Sequence, residues 1–159
     1  MPFPLRALHL ENRHIGQYGE PTLGAAFKIL RAEWDTGNRD RELCLHLLFL
    51  GWYGLAEPPF LTGFERPELD DLPNVFAKVF DYVQPNIERD AEMLYVVGLG
   101  ADLFGCLLPG GERIWDPRSK EYRRRYRELC PKGIDPRIFL DRGYYGDYYL
   151  AQATVEGGY

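Results

Sequence analysis

Serine is nearly missing from this chain. It occurs once, as Ser119 between Arg118 and Lys120, without a Gly-x-Ser-x-Gly elbow to make it a hydrolase nucleophile. Histidine and cysteine are scarce too, three of each. His9, His14 and His46 form no metal spacing, and there is no Cys-x-x-Cys or His-Glu-x-x-His. Cys44 and His46 lie two apart on a helix and point in different directions, so they cannot act as a nucleophile–base pair. Cys44, Cys106 and Cys130 are a poor disulfide framework and fit a reducing compartment. They read as small core or half-buried residues, and His46 as a hydrogen-bonded core residue.

Long hydrophobic runs are also lacking. Leu43 to Leu55 is too short to cross a bilayer and contains His46, while Ala91 to Leu108 carries Glu92 and Asp102. The start, Met1 to Leu10, has two early prolines and no cleavage pattern, which predicts no signal peptide. A cytoplasmic protein is expected. Tyr95 to Leu103 briefly imitates a dinucleotide loop, but Leu103 stands where the fingerprint needs a small residue. No cofactor and no metal are therefore expected.

What the chain does have is apolar and aromatic bulk, 45% and 14% of its 159 residues. One domain over 1–159 is expected, with an irregular arm at 1–20 and a loose tail at 151–159. Apolar periodicity and turn residues predict an all-α irregular bundle of about six helices in hairpin-like pairs. The segments run from Thr22 to about Trp34, Asn38 to about Ala56, Asp70 or Asp71 to Val83, and Glu88 to Leu107. Two more open at Asp116-Pro117 and Asp135-Pro136, reaching about Leu129 and Asp141. Phe60 to Pro67 reads as a loop, and Leu5 to Leu10 as the one place for a short strand. Pairs starting near Thr22, Asp71 and Asp116 are spaced like a helical repeat but share no residue pattern.

Charge is unevenly spread around a net −5. Arg113 to Arg127 holds seven basic and two acidic residues, a balance of +5, so the rest carries −10. Lys120, Arg123, Arg124 and Arg127 follow i, i+3, i+4, i+7 spacing and form one stripe, a weak candidate for anion binding. An acidic protein does not offer the positive field that nucleic acid needs. Asp102, if buried, must be paired, for instance with an arginine, or protonated; a structural ion pair is expected rather than catalysis. Glu65, Glu68, Asp70 and Asp71 crowd one helix start, and Glu88, Asp90 and Glu92 another. Such groups suit helix N-termini, and they also suit a face that steers a basic protein.

The run Asp141-Arg-Gly-Tyr-Tyr-Gly-Asp-Tyr-Tyr149 gathers four tyrosines, which either close a core or meet a partner. With Glu57-Pro-Pro-Phe-Leu-Thr-Gly63 and Val97-Gly-Leu-Gly-Ala-Asp-Leu-Phe104, it resembles a family of small all-helical bacterial proteins. Members share an E-P-P-F-L-T-G-like turn, a V-G-x-x-A-x-L-F-like helix and a G-R-G-[YF]-[FY]-G-x-Y-F-like terminus. The resemblance covers about Leu43 to Leu150, with Asp141 standing where the terminal pattern has glycine. It implies an immunity protein of a polymorphic or contact-dependent toxin system, without catalytic residues, that binds and occludes a cognate toxin's effector domain. Expected contacts are Glu65, Glu68, Asp70, Asp71, Asp90 and Glu92 for charge, with Tyr144, Tyr145 and Tyr148 as anchors. A helical-repeat adaptor and a carboxylate-based enzyme acting on an anionic substrate remain as alternatives.

Overall fold

A computed structural model describes residues 2–14 and 19–156. Among them are eight α-helices and no strand. They are α1 Leu5–Arg13, α2 Leu23–Asp35, α3 Arg41–Ala56, α4 Pro59–Thr62, α5 Arg66–Val83, α6 Ala91–Phe104, α7 Glu112–Leu129 and α8 Gly143–Val155. Short 3-10 turns fill 84–89, 105–107 and 136–139. All-α architecture holds. The helix count is eight rather than about six, and both extra long helices lie at the ends of the chain.

Leu5 to Leu10 is helical, not a strand. Its apolar residues also fit helical spacing, and the helix continues far enough to bury Ala7 and Glu11, four apart on one face. The hydroxyl of Thr22 donates to the Leu10 carbonyl at 2.5 Å and ties this helix to the next. So 5–13 of the expected irregular arm is ordered structure, as is 151–155 of the expected tail. Residues 1, 15–18 and 157–159, which complete those two expectations, lie outside the described residues.

Three helix starts are displaced from their sequence signals. The fifth helix begins at Arg66 with Pro67 in its first turn, so Asp70 and Asp71 lie inside it rather than at its cap. The seventh begins at Glu112, and Pro117 sits within it. The upstream turn is held because Trp115 is buried against Phe76 and Phe80 and donates its indole N–H to the Pro109 carbonyl at 2.7 Å. That burial outweighs the one backbone hydrogen bond a proline removes. Asp135 does cap, accepting from Arg137 N at 2.9 Å, but it opens only the 3-10 turn Pro136–Phe139.

Helix α3 is the axis of the bundle. Asp40, rather than Asn38, caps it, and every residue from Leu43 to Gly54 is buried. The other helices pack around it: α2, α5 and α6 lie against α3, α1 lies on α2 and α8, and α6 runs along α7. The hairpins therefore differ from those expected, since α5 packs on α3 and the sixth helix takes the seventh as its partner. At Gly98 the two helices are close, but a Cβ there would meet the Tyr122 Cβ at 3.4 Å, an ordinary contact, so the approach does not depend on glycine. The Ser119 hydroxyl crosses the same interface to donate to the Gly98 carbonyl at 3.1 Å.

The tyrosine run forms the first turns of α8. Tyr145, Tyr149 and Ala153 face inward at i, i+4, i+8, and Phe49 of α3 meets Tyr144, Tyr145, Tyr148 and Tyr149 at ring distances of 5.2 to 6.1 Å. Two glycines have backbone reasons. Gly63 ends α4 at φ +77°, and a side chain there would strike the Pro21 carbonyl. Gly143 opens α8 at φ +70°, where a Cβ would meet Glu11 Oε1 at 2.9 Å. Asp141 is left-handed too, at φ 57°, a conformation aspartate tolerates better than most non-glycine residues.

Candidate functional site

The chemistry-bearing side chains gather where the starts of α3, α6 and α8 meet α1. Glu42 and His46 stand four apart on α3, so both reach the same side of the helix. His46 is sealed from solvent, with Nδ1 2.6 Å from Glu11 and Nε2 3.0 Å from Glu42. Arg142, just before α8, donates to both oxygens of Glu42 at 2.8 and 2.6 Å and meets Glu92 at 2.6 Å. Glu92 also accepts from the Tyr145 hydroxyl at 2.7 Å and from Arg41 at 3.0 Å. Arg41 then forks onto Asp90, which caps α6 through Met93 N.

Glu11 has a second task. Arg142 occupies the N-cap position of α8 but gives no side-chain cap, and the Glu11 carboxylate instead accepts from Tyr145 N at 3.1 Å. A residue 134 positions away thus satisfies an orphan donor of the helix start and meets its positive end. Both nitrogens of His46 face carboxylates, so both donate and the ring is an imidazolium. Glu11 and His46 are wholly enclosed, and all their polar ends are directed at protein groups. The cluster holds helices together and gives a substrate no access at those two residues.

Burial would lower the His46 pKa, but Glu11 and then Glu42 more than offset it and hold it up at about 9, above the ordinary 6.5. Burial would raise the Glu42 carboxyl, but His46 and Arg142 together hold it down at about 2. A raised imidazole contributes stability that is complete below pH 6.5 and is lost as pH climbs through about 9. A depressed carboxyl contributes stability that is complete above pH 4.5 and is lost as pH falls through about 2. The network is therefore at full strength between these limits. Urea unfolding should show the alkaline loss, on the order of 3 kcal/mol from His46 at about 1.4 kcal/mol per pKa unit. His46→Gln should flatten that limb; an unchanged slope between pH 6.5 and 9 would refute the assignment.

The structure separates the expected partner contacts. Tyr145 is fully buried, and Glu92 is nearly so within the network. Neither presents a surface. Tyr144 and Tyr148 are half-buried; the Tyr144 hydroxyl hydrogen-bonds that of Tyr53 at 2.7 Å, and Tyr148 packs on Trp52 and Tyr53. Asp90 is held by Arg41, Glu68 by Lys28 at 3.1 Å, and Asp71 by Arg31. Glu65 and Asp70 are the outward-facing pair, with side chains 69% and 65% exposed.

Five positions before Glu65 in the chain is an exposed aromatic residue outside the expected tyrosines. Phe60 is 77% exposed on α4, the most exposed aromatic side chain of the described residues. Pro58 precedes that single turn, Pro59 opens it and Gly63 closes it, while Thr62 and Phe64 on either side of the glycine are buried. Phe64 packs on Phe27 at 5.6 Å and anchors the turn, while Phe60 faces outward. The sequence signal was there: a phenylalanine between a double proline and Thr-Gly has little helix around it in which to turn inward.

The basic stripe is divided by its neighbours. Arg124 is held by Glu121 and Glu128, and Arg123 by Asp102 at 2.8 Å and Glu156 at 3.5 Å. Asp102 thus has the arginine partner expected of it, though at the surface rather than in the core. Lys120 and Arg127 have no carboxylate partner among the described residues. All three cysteines are free thiols, and burial pushes that of Cys44 up to about 11. Among the described residues, no group of three or more His, Cys, Asp or Glu is placed to hold a metal, and no helix is long and apolar enough to cross a membrane.

One void of about 10 Å³ lies inside, lined by Phe49, Trp52, Phe76 and Tyr149, too small and apolar for a substrate. The other hollows are open clefts. Comparison with protein-family models, curated proteins and solved structures finds no match to this chain. Function has to be read from its own residues.

Proposed function

We propose that the chain is a binding protein that neutralises a bacterial toxin by covering its effector domain, the role implied by the resemblance of its three motifs. The observation that carries this reading is Phe60, held out at 77% exposure on a proline-braced turn. An apolar anchor on a rigid support loses little conformational freedom on docking, and such aromatics dominate interface energetics. Glu57, Glu65, Glu68, Asp70 and Asp71 surround it in sequence, against Lys28, Arg31 and Arg66 from the same corner of the fold. The surplus of carboxylate favours a basic partner, such as a domain whose own substrate is anionic.

The test is co-expression with a toxin effector domain from the genes that flank this one. Wild type should protect the cells and co-purify with that domain. Phe60→Ala should weaken binding by roughly 30-fold or more, as expected for an interface anchor worth at least about 2 kcal/mol. Its melting temperature should hardly change, because so little of the ring is buried. Asp70→Lys should slow association more at low salt than at high salt. Absence of protection by wild type would sink the toxin reading, and full binding by Phe60→Ala would sink this surface.

A further inference from the structure

A second surface carries different chemistry, on helices that do not include Phe60. Between α6, α7, the 130–135 loop and the end of α8 lies an open cleft of about 1020 Å³, lined by Tyr95, Arg123, Tyr126, Arg127, Lys132 and Glu156. It is large enough for a small organic molecule. Its cations are only partly used. Arg123 is shared by Asp102 and Glu156, whereas Arg127 and Lys132 have no carboxylate partner among the described residues. Asp135, the other acid on the rim, has both oxygens taken by Arg137.

The wall also contains an unmet donor. Tyr95 is 5% exposed, and its hydroxyl, cut off from water, makes no hydrogen bond of good geometry; the Glu156 carboxylate is the polar group beside it. A buried hydroxyl left unpaired costs about 1–3 kcal/mol, so such groups call for an explanation. Burial, with the nearby Glu156 carboxylate, raises the Tyr95 pKa, and the hydroxyl is a donor as in any tyrosine at neutral pH. Tyr126 holds the opposite loop in place, since its hydroxyl accepts from Ile134 N at 2.6 Å and its ring lies 5.3 Å from that of Tyr95. The loop side of the cleft is thus fixed before any ligand arrives, whereas Glu156 has to give way.

We propose that this cleft binds the phosphoryl group of a small soluble molecule, with Arg123, Arg127 and Lys132 as its donors and the Tyr95 hydroxyl joining them once Glu156 moves aside. A phosphoryl group offers more acceptor oxygens than a carboxylate and carries more charge, matching three cations and a hydroxyl. Glu156 is the resident carboxylate. Its contact with Arg123, at 3.5 Å, is long beside the 2.8 Å hydrogen bond that Arg123 donates to Asp102, so an incoming dianion displaces the weaker of the two partners.

Calorimetric titration of the full chain with inorganic pyrophosphate, at low ionic strength, tests this. One saturable site per chain is expected. Arg127→Gln with Lys132→Gln should weaken it about tenfold or more, and Tyr95→Phe several-fold, for the loss of charge-assisted hydrogen bonds. Glu156→Gln should tighten it, whereas Asp81→Asn, which makes the same change in net charge away from the cleft, should not. Melting temperatures no lower than that of wild type, and higher for Tyr95→Phe if its hydroxyl is unpaired in the free protein, keep loss of folding out of the comparison. No saturable binding at millimolar pyrophosphate would overturn the proposal. So would equal binding by the variants, equal tightening by Asp81→Asn, or citrate binding as well as pyrophosphate.

Discussion

Replacing Glu11 with alanine should cost about 3–5 kcal/mol of unfolding free energy, the usual result of breaking a buried ion pair from one side. The loss has three parts. His46 would keep an imidazolium in a sealed interior with Glu42 as its remaining partner, or would have to give up its proton. Tyr145 N would lose its acceptor at the start of α8. The positive end of that helix would lose the carboxylate that complements it. Against a typical domain stability of about 5–15 kcal/mol, this single change should expose much of the chain at moderate temperature. Urea denaturation at about pH 6 measures it, and a loss below about 1 kcal/mol would show that the carboxylate is not the tie.

A double-mutant cycle separates the pair from the cap. His46→Leu alone leaves Glu11 buried without its cation, and Glu11→Met alone leaves His46 without its anion, so each single should destabilise strongly. Glu11→Met with His46→Leu removes both charges and replaces them with apolar volume. Such exchanges are often neutral for the pair itself. The double variant should therefore lose much less than the sum of the singles, and what remains should be the orphaned Tyr145 N–H, about 1–3 kcal/mol. Additive losses would mean that the two groups act independently, despite 2.6 Å between them.

The sequence revealed the helices that make their own signals, and it hid the contacts made at a distance. Helices α2 and α3 were legible because apolar residues repeat at helical spacing and turn residues close each end. Helix α8 was not. Its glycines and tyrosines have no strong helical preference, and its start is capped by Glu11 from the opposite end of the chain, which no local pattern records. Helix α7 starts before Pro117 because Trp115 gains more from burial than a proline-first start would offer. His46 could be read as a core histidine from its apolar helix, yet its partner Glu11 could not be named. For the candidate surface, Glu65 and Asp70 stood out as charges, while Glu92 looked equally available and is used up inside. Burial decides between such residues, and sequence alone does not print it.

The tyrosines show the same division, and Tyr145→Ala should be the most damaging change in that run. The side chain is fully buried between Phe49, Phe139, Tyr149 and His46, so truncation leaves a large cavity in a tightly packed aromatic region. Large aromatic-to-alanine changes in cores cost about 3–5 kcal/mol. Here the hydroxyl is lost as well, and with it one of the donors that hold Glu92. Tyr145→Phe isolates that second part and should cost only about 1–2 kcal/mol. Tyr148→Ala, on the half-buried flank of the same helix, should fall between the two. The order separates a fold signature from a recognition surface. Tyr145→Ala should lose partner binding only in proportion to its unfolded fraction, while Phe60→Ala should lose binding and keep its melting temperature. If Tyr145→Ala instead melts like wild type yet no longer binds, the helix must open to recognise its partner, and the terminal run regains the role that its tyrosines first suggested.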